Sequence, residues 1–106
     1  MSGEVLVGRR PLASYVLACY LALQQGQSVT LRARGRAISR AVDAVQALRA
    51  LLVREAEVRS VELGTELVRG PDGREVPVST ISITVALPRR GKRVRRSASS
   101  ARRRPS

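Results

Sequence analysis

The sequence lacks the residues on which most catalytic and metal sites depend. Its 106 residues include no His, no Phe and no Trp, and Cys19 is the single cysteine. A metal site of the usual His/Cys kind and a nucleophile activated by His are therefore both excluded. One cysteine forms no internal disulfide, which excludes a disulfide-stapled secreted scaffold. We expect neither a metal nor a cofactor.

Two further absences concern membranes and export. No apolar run approaches the roughly 20 residues that a helix needs to cross a bilayer. The segment from Met1 to Glu4 has no basic region leading into an apolar stretch, as a signal peptide would have. We therefore expect one small cytoplasmic domain with no membrane partner.

The charged residues that are present have mostly one sign. Lys and Arg total 20 against 8 acidic residues, and Lys92 is the single lysine among those cations. The planar fork of donors on Arg matches phosphate geometry, so this composition favours a phosphate-rich partner. An Arg-rich composition can also follow from genome base composition or growth at high temperature. The positions of the arginines have to decide between these explanations.

The positive charge is concentrated at the C-terminus. Residues 88–106 hold nine of the 20 cations and none of the acids, which leaves a net charge of +3 on residues 1–87. The other residues of this segment are mainly Ser, Ala, Gly and Pro, which bury too little apolar surface to fold. We predict a folded domain at 1–87 and a disordered basic tail at 88–106. The tail is either an arm that binds nucleic acid or a device for solubility.

Hydrophobic periodicity in residues 5–87 predicts the order βαβαββ. The predicted elements are a strand at Val5–Val7, a helix with Pro11 at its first position and its end at Gly26, an alternating strand at Val29–Ala33, a helix from about Arg36 to Val53, and strands at Val58–Val68 and Val76–Leu87. Pro71-Asp72-Gly73 predicts a turn between the last two strands. The fold class is therefore α/β, a compact two-layer domain.

Each helix carries an apolar stripe that should face the sheet. The first stripe is predicted to contain Leu12, Tyr15, Val16, Cys19, Tyr20 and Leu23, which places both tyrosines in the core. The second is predicted to contain Ile38, Ala41, Val42, Val45, Leu48 and Leu52. Leu48, Leu51 and Leu52 cannot all face one stripe, so the surplus apolar surface predicts a dimer.

The last two strands are too long for the body of the domain. The eleven residues Val58–Val68 would span ~36 Å, whereas Ser28–Arg34 would span ~23 Å. Either a hairpin arm projects from the body, or the strands contain a bulge. A projecting arm could enter a DNA groove with Arg69 and Arg74 near its tip.

Two basic segments immediately precede the predicted helices. They are Gly8-Arg9-Arg10-Pro11 and the stretch from Arg34 to Arg40, which also contains Arg36. Helix N-termini present unpaired N–H groups to anions, and in an alternating βα arrangement both segments fall at one end of the sheet. The arginines are either phosphate-binding residues or ordinary solvated charges. Cations at a helix start oppose the helix dipole, which favours a bound anion.

Several segments also resemble one known family. They are Gly8-Arg9-Arg10-Pro11, Tyr15-Val16-Leu17-Ala18, Gln25-Gly26, the block Ala33–Asp43 with its Arg-Gly-Arg-Ala-Ile-Ser core, and Val78-Ser79-Thr80-Ile81. Together they resemble the archaeal chromatin protein family Alba, in one register over residues 5–87. The resemblance implies the same βαβαββ fold and a homodimer, or a heterodimer with a paralogue. It also implies binding of double-stranded DNA, and often RNA, without base specificity, in a chromosome-associated, DNA-condensing role.

The resemblance also implies a set of site residues. Arg9 and Arg10 match the central DNA-facing surface of the dimer, Arg34, Arg36 and Arg40 match basic positions that flank it, and the Gly70–Arg74 hairpin, bounded by Arg69 and Arg74, matches an arm that reaches toward the minor groove. Leu52 stands where many members have an aromatic residue that lies between dimers. The family's central pair is typically lysine, and arginine side chains cannot be acetylated, so control by acetylation does not carry over.

Two other functions compete with DNA packaging. One is RNA binding by the same fold, in ribosome or ribonuclease P assembly or in RNA stabilisation. The other is catalysis, for which Ser39 and Asp43 lie four residues apart on one helix face. No base is present to activate the serine, so we expect a local structural role for this pair and no enzyme activity.

Overall fold

The structure, a computed structural model, describes residues 2–88. The elements are β1 (Ser2–Leu6), α1 (Leu12–Gln24), β2 (Ser28–Arg34), α2 (Ala37–Ala47) followed by a π-helical turn (Leu48–Leu52), β3 (Glu57–Arg69) and β4 (Glu75–Ala86). The predicted βαβαββ order is confirmed. The predicted basic tail, apart from Pro88, lies outside the described residues. Within residues 2–88, no helix is long and apolar enough to cross a membrane.

The four strands form one sheet in the order β1-β2-β4-β3. β1 runs parallel to β2, and β4 is antiparallel to both β2 and β3. Alternate residues are buried along the two central strands, namely Val29, Leu31 and Ala33 in β2 and Ile81, Ile83 and Val85 in β4. These side chains share one sheet face because the side-chain period of a strand is two. They form one core with the buried residues of α1 and α2, which gives the predicted two layers.

The first helix begins one residue later than predicted. Pro11 is the N-cap residue and has an extended ψ of 143°, so helical backbone starts at Leu12. The predicted stripe is confirmed, because Tyr15, Cys19 and Leu23 are buried and the other members pack against the core. Tyr15 is therefore a core residue, and Tyr20 is half-buried against the core.

The predicted stripe of the second helix is wrong at Val42 and Leu52, which are 41% and 51% exposed. The stripe that is buried consists of Ala41, Ala44, Val45 and Leu48, and Val42 lies beside it. Beyond Leu48 the chain forms a π-helical turn, in which the N–H of Val53 donates to the carbonyl of Leu48 at 2.8 Å. The wider turn shifts the phase of the helix, so that Val53 is buried in place of Leu52.

The hairpin of β3 and β4 extends well beyond the body. β2 pairs with β4 only between Thr80 and Val85, whereas β3 continues to pair with β4 as far as Arg69 and Glu75. About five residues of each strand, or ~17 Å, therefore project past β2. The alternative of a bulge is also present, between Val58 and Ser60.

Candidate nucleic-acid interface

The two basic segments and the hairpin arm lie at the same end of the sheet. β1 and β2 are parallel, so the loops that follow them leave from the same edge. β4 starts in the arm and pairs with Arg34, the last residue of β2, at Thr80, where it returns to the body. The topology therefore places the arm on the side of the sheet where both helices begin.

Four arginines surround one open cleft at this end. Arg9, Arg34, Arg36 and Arg40 line a volume of ≈ 820 Å³ together with Val7, Gly8 and Ala37. Arg10 lines a neighbouring cleft of ≈ 530 Å³ with Tyr15 and Ser14. We call the first of these the basic cleft. The structure thus brings together, at one end, the five arginines that precede or begin the helices.

These arginines differ in how far their charge is already paired. The guanidinium of Arg34 lies 3.2 Å from a carboxylate oxygen of Glu66, across the face of the sheet away from the helices. Both partners are about half exposed, and such pairs contribute at most about 1 kcal/mol, so a phosphate can displace Glu66. Within residues 2–88, Arg9, Arg10, Arg36 and Arg40 form no ion pair. The cleft is therefore strongly positive before any ligand binds.

Arg40 already uses part of its guanidinium within the protein. Its Nε donates to the carbonyl of Gly8 at 3.0 Å, and its Nη2 donates to the carbonyl of Arg10. Arg40 therefore joins the start of α2 to the loop that follows β1. This geometry gives it a structural contact in addition to its predicted place at the surface.

Tyr15 holds the same loop from the other side, which the sequence did not indicate. Its hydroxyl accepts the N–H of Gly8 at 2.8 Å and the N–H of Arg10 at 2.9 Å. The side chain is 5% exposed, so the predicted core position is confirmed while the role of the hydroxyl was missed. A signal was available, because a buried tyrosine usually gives its hydroxyl a hydrogen-bond partner, and the basic loop lies directly before Tyr15 in the chain.

The N-termini of both helices lack the side chains that would normally cap their free N–H groups or balance the helix dipole. Neither Pro11 nor Arg36 makes a side-chain cap, and neither helix has an acidic residue in its first turn. The turn before α2 depends on Gly35, whose φ of 58° disfavours any side chain. Its N–H donates to the carbonyl of Ser79 at 2.9 Å, which fixes the start of α2 against β4. Uncapped N–H groups and cationic side chains together favour an anion here.

The two arginines of the arm lie near its tip and outside the basic cleft. Arg69 donates to the carbonyl of Gly73 at 3.1 Å, which braces the turn. Arg74 lies 4.0 Å from Asp72 in an exposed ion pair. Since Asp72 and Glu75 offset both cations, the arm carries little net charge of its own.

The remaining candidate for chemistry makes a local contact. The hydroxyl of Ser39 donates to the carbonyl of Arg36 at 3.5 Å, which is a structural contact within the first turn of α2. Cys19, the one thiol, is buried in the core, and burial raises its pKa from 9.0 to about 11. A buried neutral thiol is a poor nucleophile.

Comparison with known proteins identifies the family. Residues 3–62 match the family model named Alba. The chain belongs to the Alba family. A relative from Methanocella arvoryzae, named DNA/RNA-binding protein Alba, is 37% identical over 86 residues, which cover 80% of this chain and 90% of the relative. The printed name of this relative describes binding to DNA and RNA.

Solved Alba structures share the fold. Alba from Thermoplasma volcanium superposes with a TM-score of 0.74 at 32% identity, covering 77% of this chain and 96% of that one. ALBA1 from Trypanosoma brucei superposes with a TM-score of 0.65 at 27% identity, covering 79% of this chain and 68% of that one. The sequence resemblance to the Alba family is therefore confirmed, and with it the α/β fold.

Proposed function

We propose that this protein binds double-stranded DNA without base specificity, and that it coats and compacts chromosomal DNA. The observation that carries the proposal is the basic cleft, where Arg9, Arg34, Arg36 and Arg40 meet at the uncapped starts of two helices. Guanidiniums and helix N-termini are the groups that proteins use to hold phosphates. Contacts of this kind fix the position of a duplex and carry no sequence information.

The arm gives the surface a second element of contact. It projects ~17 Å from the end where the basic cleft opens, and a two-stranded ribbon of this kind fits a DNA groove. Arg69 and Arg74 stand near its tip. The arm then guides the duplex across the cleft, while the arginines of the cleft supply most of the affinity.

The binding unit is a dimer. β3 is an edge strand of the sheet. Its apolar side chains on the core face of the sheet lie beyond the helices and are exposed: Val61 at 53%, Leu63 at 79% and Leu67 at 63%. We call these three residues the edge stripe. Val61 and Leu63 pair with the buried residues Ile83 and Ile81, so the stripe continues the core face of the sheet. A second copy of the chain, or a paralogue with the same stripe, covers it and doubles the number of basic clefts.

Leu52 contributes a separate contact between dimers. The π-helical turn leaves it 51% exposed at the end of the second helix, on the opposite side of the domain from the basic cleft along that helix. Neighbouring dimers on one duplex meet through this position. Coating of DNA in this manner places the protein on the chromosome, in the cytoplasm.

RNA is the second candidate ligand, because the relative's name includes it. A structured RNA presents the same phosphates as DNA, so the basic cleft suits both. Single-stranded RNA is usually held by stacking on aromatic side chains. Here Tyr15 is buried and Tyr20 packs against the core, so neither offers a platform. RNA binding would therefore be directed at duplex or structured RNA.

Competition binding distinguishes these functions. A labelled DNA duplex bound to the full chain is challenged with unlabelled DNA duplexes of different sequence, with double-stranded RNA and with single-stranded RNA. DNA packaging predicts equal competition by all DNA duplexes, and nucleic acid that copurifies from cells should be chromosomal DNA. Strong preference for one DNA sequence would contradict the proposal. Preferential competition by RNA, together with ribosomal or ribonuclease P RNA in the purified material, would favour the second candidate.

A further inference from the structure

The loop from Gly8 to Arg10 is held by side chains on both of its flanks. The hydroxyl of Tyr15 accepts the N–H groups of Gly8 and Arg10, at 2.8 and 2.9 Å. The guanidinium of Arg40 donates to the carbonyls of the same two residues. Both backbone groups of Gly8 and both of Arg10 are thereby bonded, and Arg9 lies between two fixed residues.

The two side chains that hold the loop are themselves fixed by the fold. Tyr15 is 5% exposed within the core, and Arg40 is half-buried in the first turn of α2. The side chains of Arg9 and Arg10, in contrast, are exposed. The contacts therefore tie a surface loop to α1 and α2 while its two guanidiniums face solvent.

We propose that Tyr15 and Arg40 are positioning residues, which hold Arg9 and Arg10 in the arrangement that receives a phosphate backbone. This inference rests on the proposed function, since the loop matters only if nucleic acid binds there. A loop that is ordered before binding loses little conformational freedom when the ligand arrives, and this preorganisation raises affinity. The hydroxyl of Tyr15 then affects binding although it carries no charge and touches no ligand.

Salt dependence separates positioning from direct contact. The slope of log K against log salt counts the phosphates that cations neutralise. Loss of the Tyr15 hydroxyl removes no cation, so affinity should fall at every salt concentration while the slope stays constant. Arg40→Lys also keeps its charge, but a single ammonium cannot reproduce the planar fork that spans two carbonyls.

The test compares two variants with two matched controls. Tyr15→Phe removes the hydroxyl that holds the loop, and Tyr20→Phe removes the hydroxyl of the other tyrosine, for which residues 2–88 show no hydrogen bond. Arg40→Lys is matched by Arg54→Lys, whose arginine is exposed and lies outside the basic cleft. Fluorescence anisotropy with a labelled duplex of about 20 base pairs gives the affinity at several salt concentrations. Amide hydrogen exchange reports the order of the loop, and thermal unfolding confirms that each variant is folded.

We expect Tyr15→Phe to bind DNA about tenfold more weakly, with an unchanged salt slope. Tenfold is the cost in affinity of ordering roughly one more loop residue when the ligand binds. The amides of Gly8 and Arg10 should exchange faster in this variant than in the wild type, and Tyr20→Phe should match the wild type in both respects. Arg40→Lys should lose a similar factor while Arg54→Lys retains its affinity. If Tyr15→Phe does not fold, the two lysine variants decide.

Three results would overturn the inference. Faster exchange at both amides with unchanged affinity would show that the order of the loop does not contribute to binding. Equal affinity of Arg40→Lys and Arg54→Lys would show that Arg40 acts only as a surface charge. A wild-type chain that binds neither DNA nor RNA would remove the proposed function and the positioning role with it. That last failure is distinct from the first two, which both occur with wild-type binding intact.

Discussion

Replacing Arg9 and Arg10 together with Ala removes two exposed guanidiniums from each chain and leaves the loop that carries them in place. The bonds from Tyr15 and Arg40 go to backbone atoms of Gly8 and Arg10, which the substitution retains. Exposed surface changes of this kind usually alter stability by less than about 0.5 kcal/mol. The melting temperature should therefore stay close to that of the wild type.

The structure sets the size of the expected effect on binding. Among the five arginines at the helix starts, Arg9, Arg10 and Arg36 are exposed and have no ion pair within residues 2–88, which makes six in the proposed dimer. Six phosphate contacts contribute about −5 to the slope of log K against log salt, and two contacts would contribute about −2. The double variant should therefore bind roughly 1–3 kcal/mol more weakly at moderate salt, by the same amount for every duplex sequence.

The assay is anisotropy of labelled A·T-rich and G·C-rich duplexes over a range of salt concentrations. Arg54→Ala with Arg59→Ala is the matched control, since it removes the same charge from residues that flank the start of β3, at the other end of the sheet. The control should keep a slope near that of the wild type. An unchanged slope in the Arg9 and Arg10 variant, or an equal loss in the control, would show that overall charge rather than the basic cleft determines binding.

Four further predictions concern assembly, the tail and pH. Leu63→Glu should give monomers in sedimentation at micromolar concentration, while Val76→Glu, on the opposite face of the same hairpin, should leave the dimer; a dimeric Leu63→Glu would contradict the role of the edge stripe. Leu52→Ala should keep the dimer but reduce the cooperativity of DNA coating, as seen in binding isotherms on long duplexes. Deletion of residues 89–106 should lower affinity and flatten the salt slope by fewer than nine units without abolishing binding; complete loss would assign binding to the tail. The raised pKa of Cys19 means that its thiol ionises at a lower pH in the unfolded chain than in the folded one. The free energy of unfolding should therefore be constant below about pH 9 and fall by roughly 2–3 kcal/mol toward pH 11. Cys19→Ala should show a smaller fall over the same pH range.

Periodicity predicted most of the fold because burial in this chain follows local spacing. The alternation of Val29, Leu31 and Ala33 with polar residues placed β2, and all three are buried. The length of the hairpin likewise indicated either a projecting arm or a bulge, and the structure contains both. These features depend on the geometry of single strands and helices, which the spacing of apolar residues in the sequence indicates directly.

Other features depended on interactions that spacing does not encode. A regular helix to Val53 would have buried Leu52, but the carbonyl of Leu48 accepts from Val53 in a π-helical turn and changes the phase. A proline after a basic loop suggested helical backbone at Pro11, yet its ψ is extended. Both differences arise at the ends of helices, where the packing of the whole domain determines the backbone conformation.

The same distinction applies to the arginines of the site. Their places in the sequence, directly before two helices that follow parallel strands, were sufficient to predict that they meet at one end of the sheet. The sequence did not predict which of these arginines are free to bind a ligand. Arg34 contacts Glu66 only because β2, β4 and β3 pair in the sheet. Arg40 contacts the carbonyl of Gly8 only because α2 packs on the loop. Sequence position thus identifies the arginines that converge, and the tertiary contacts divide them into those that hold the surface and those that remain free for the proposed phosphate contacts.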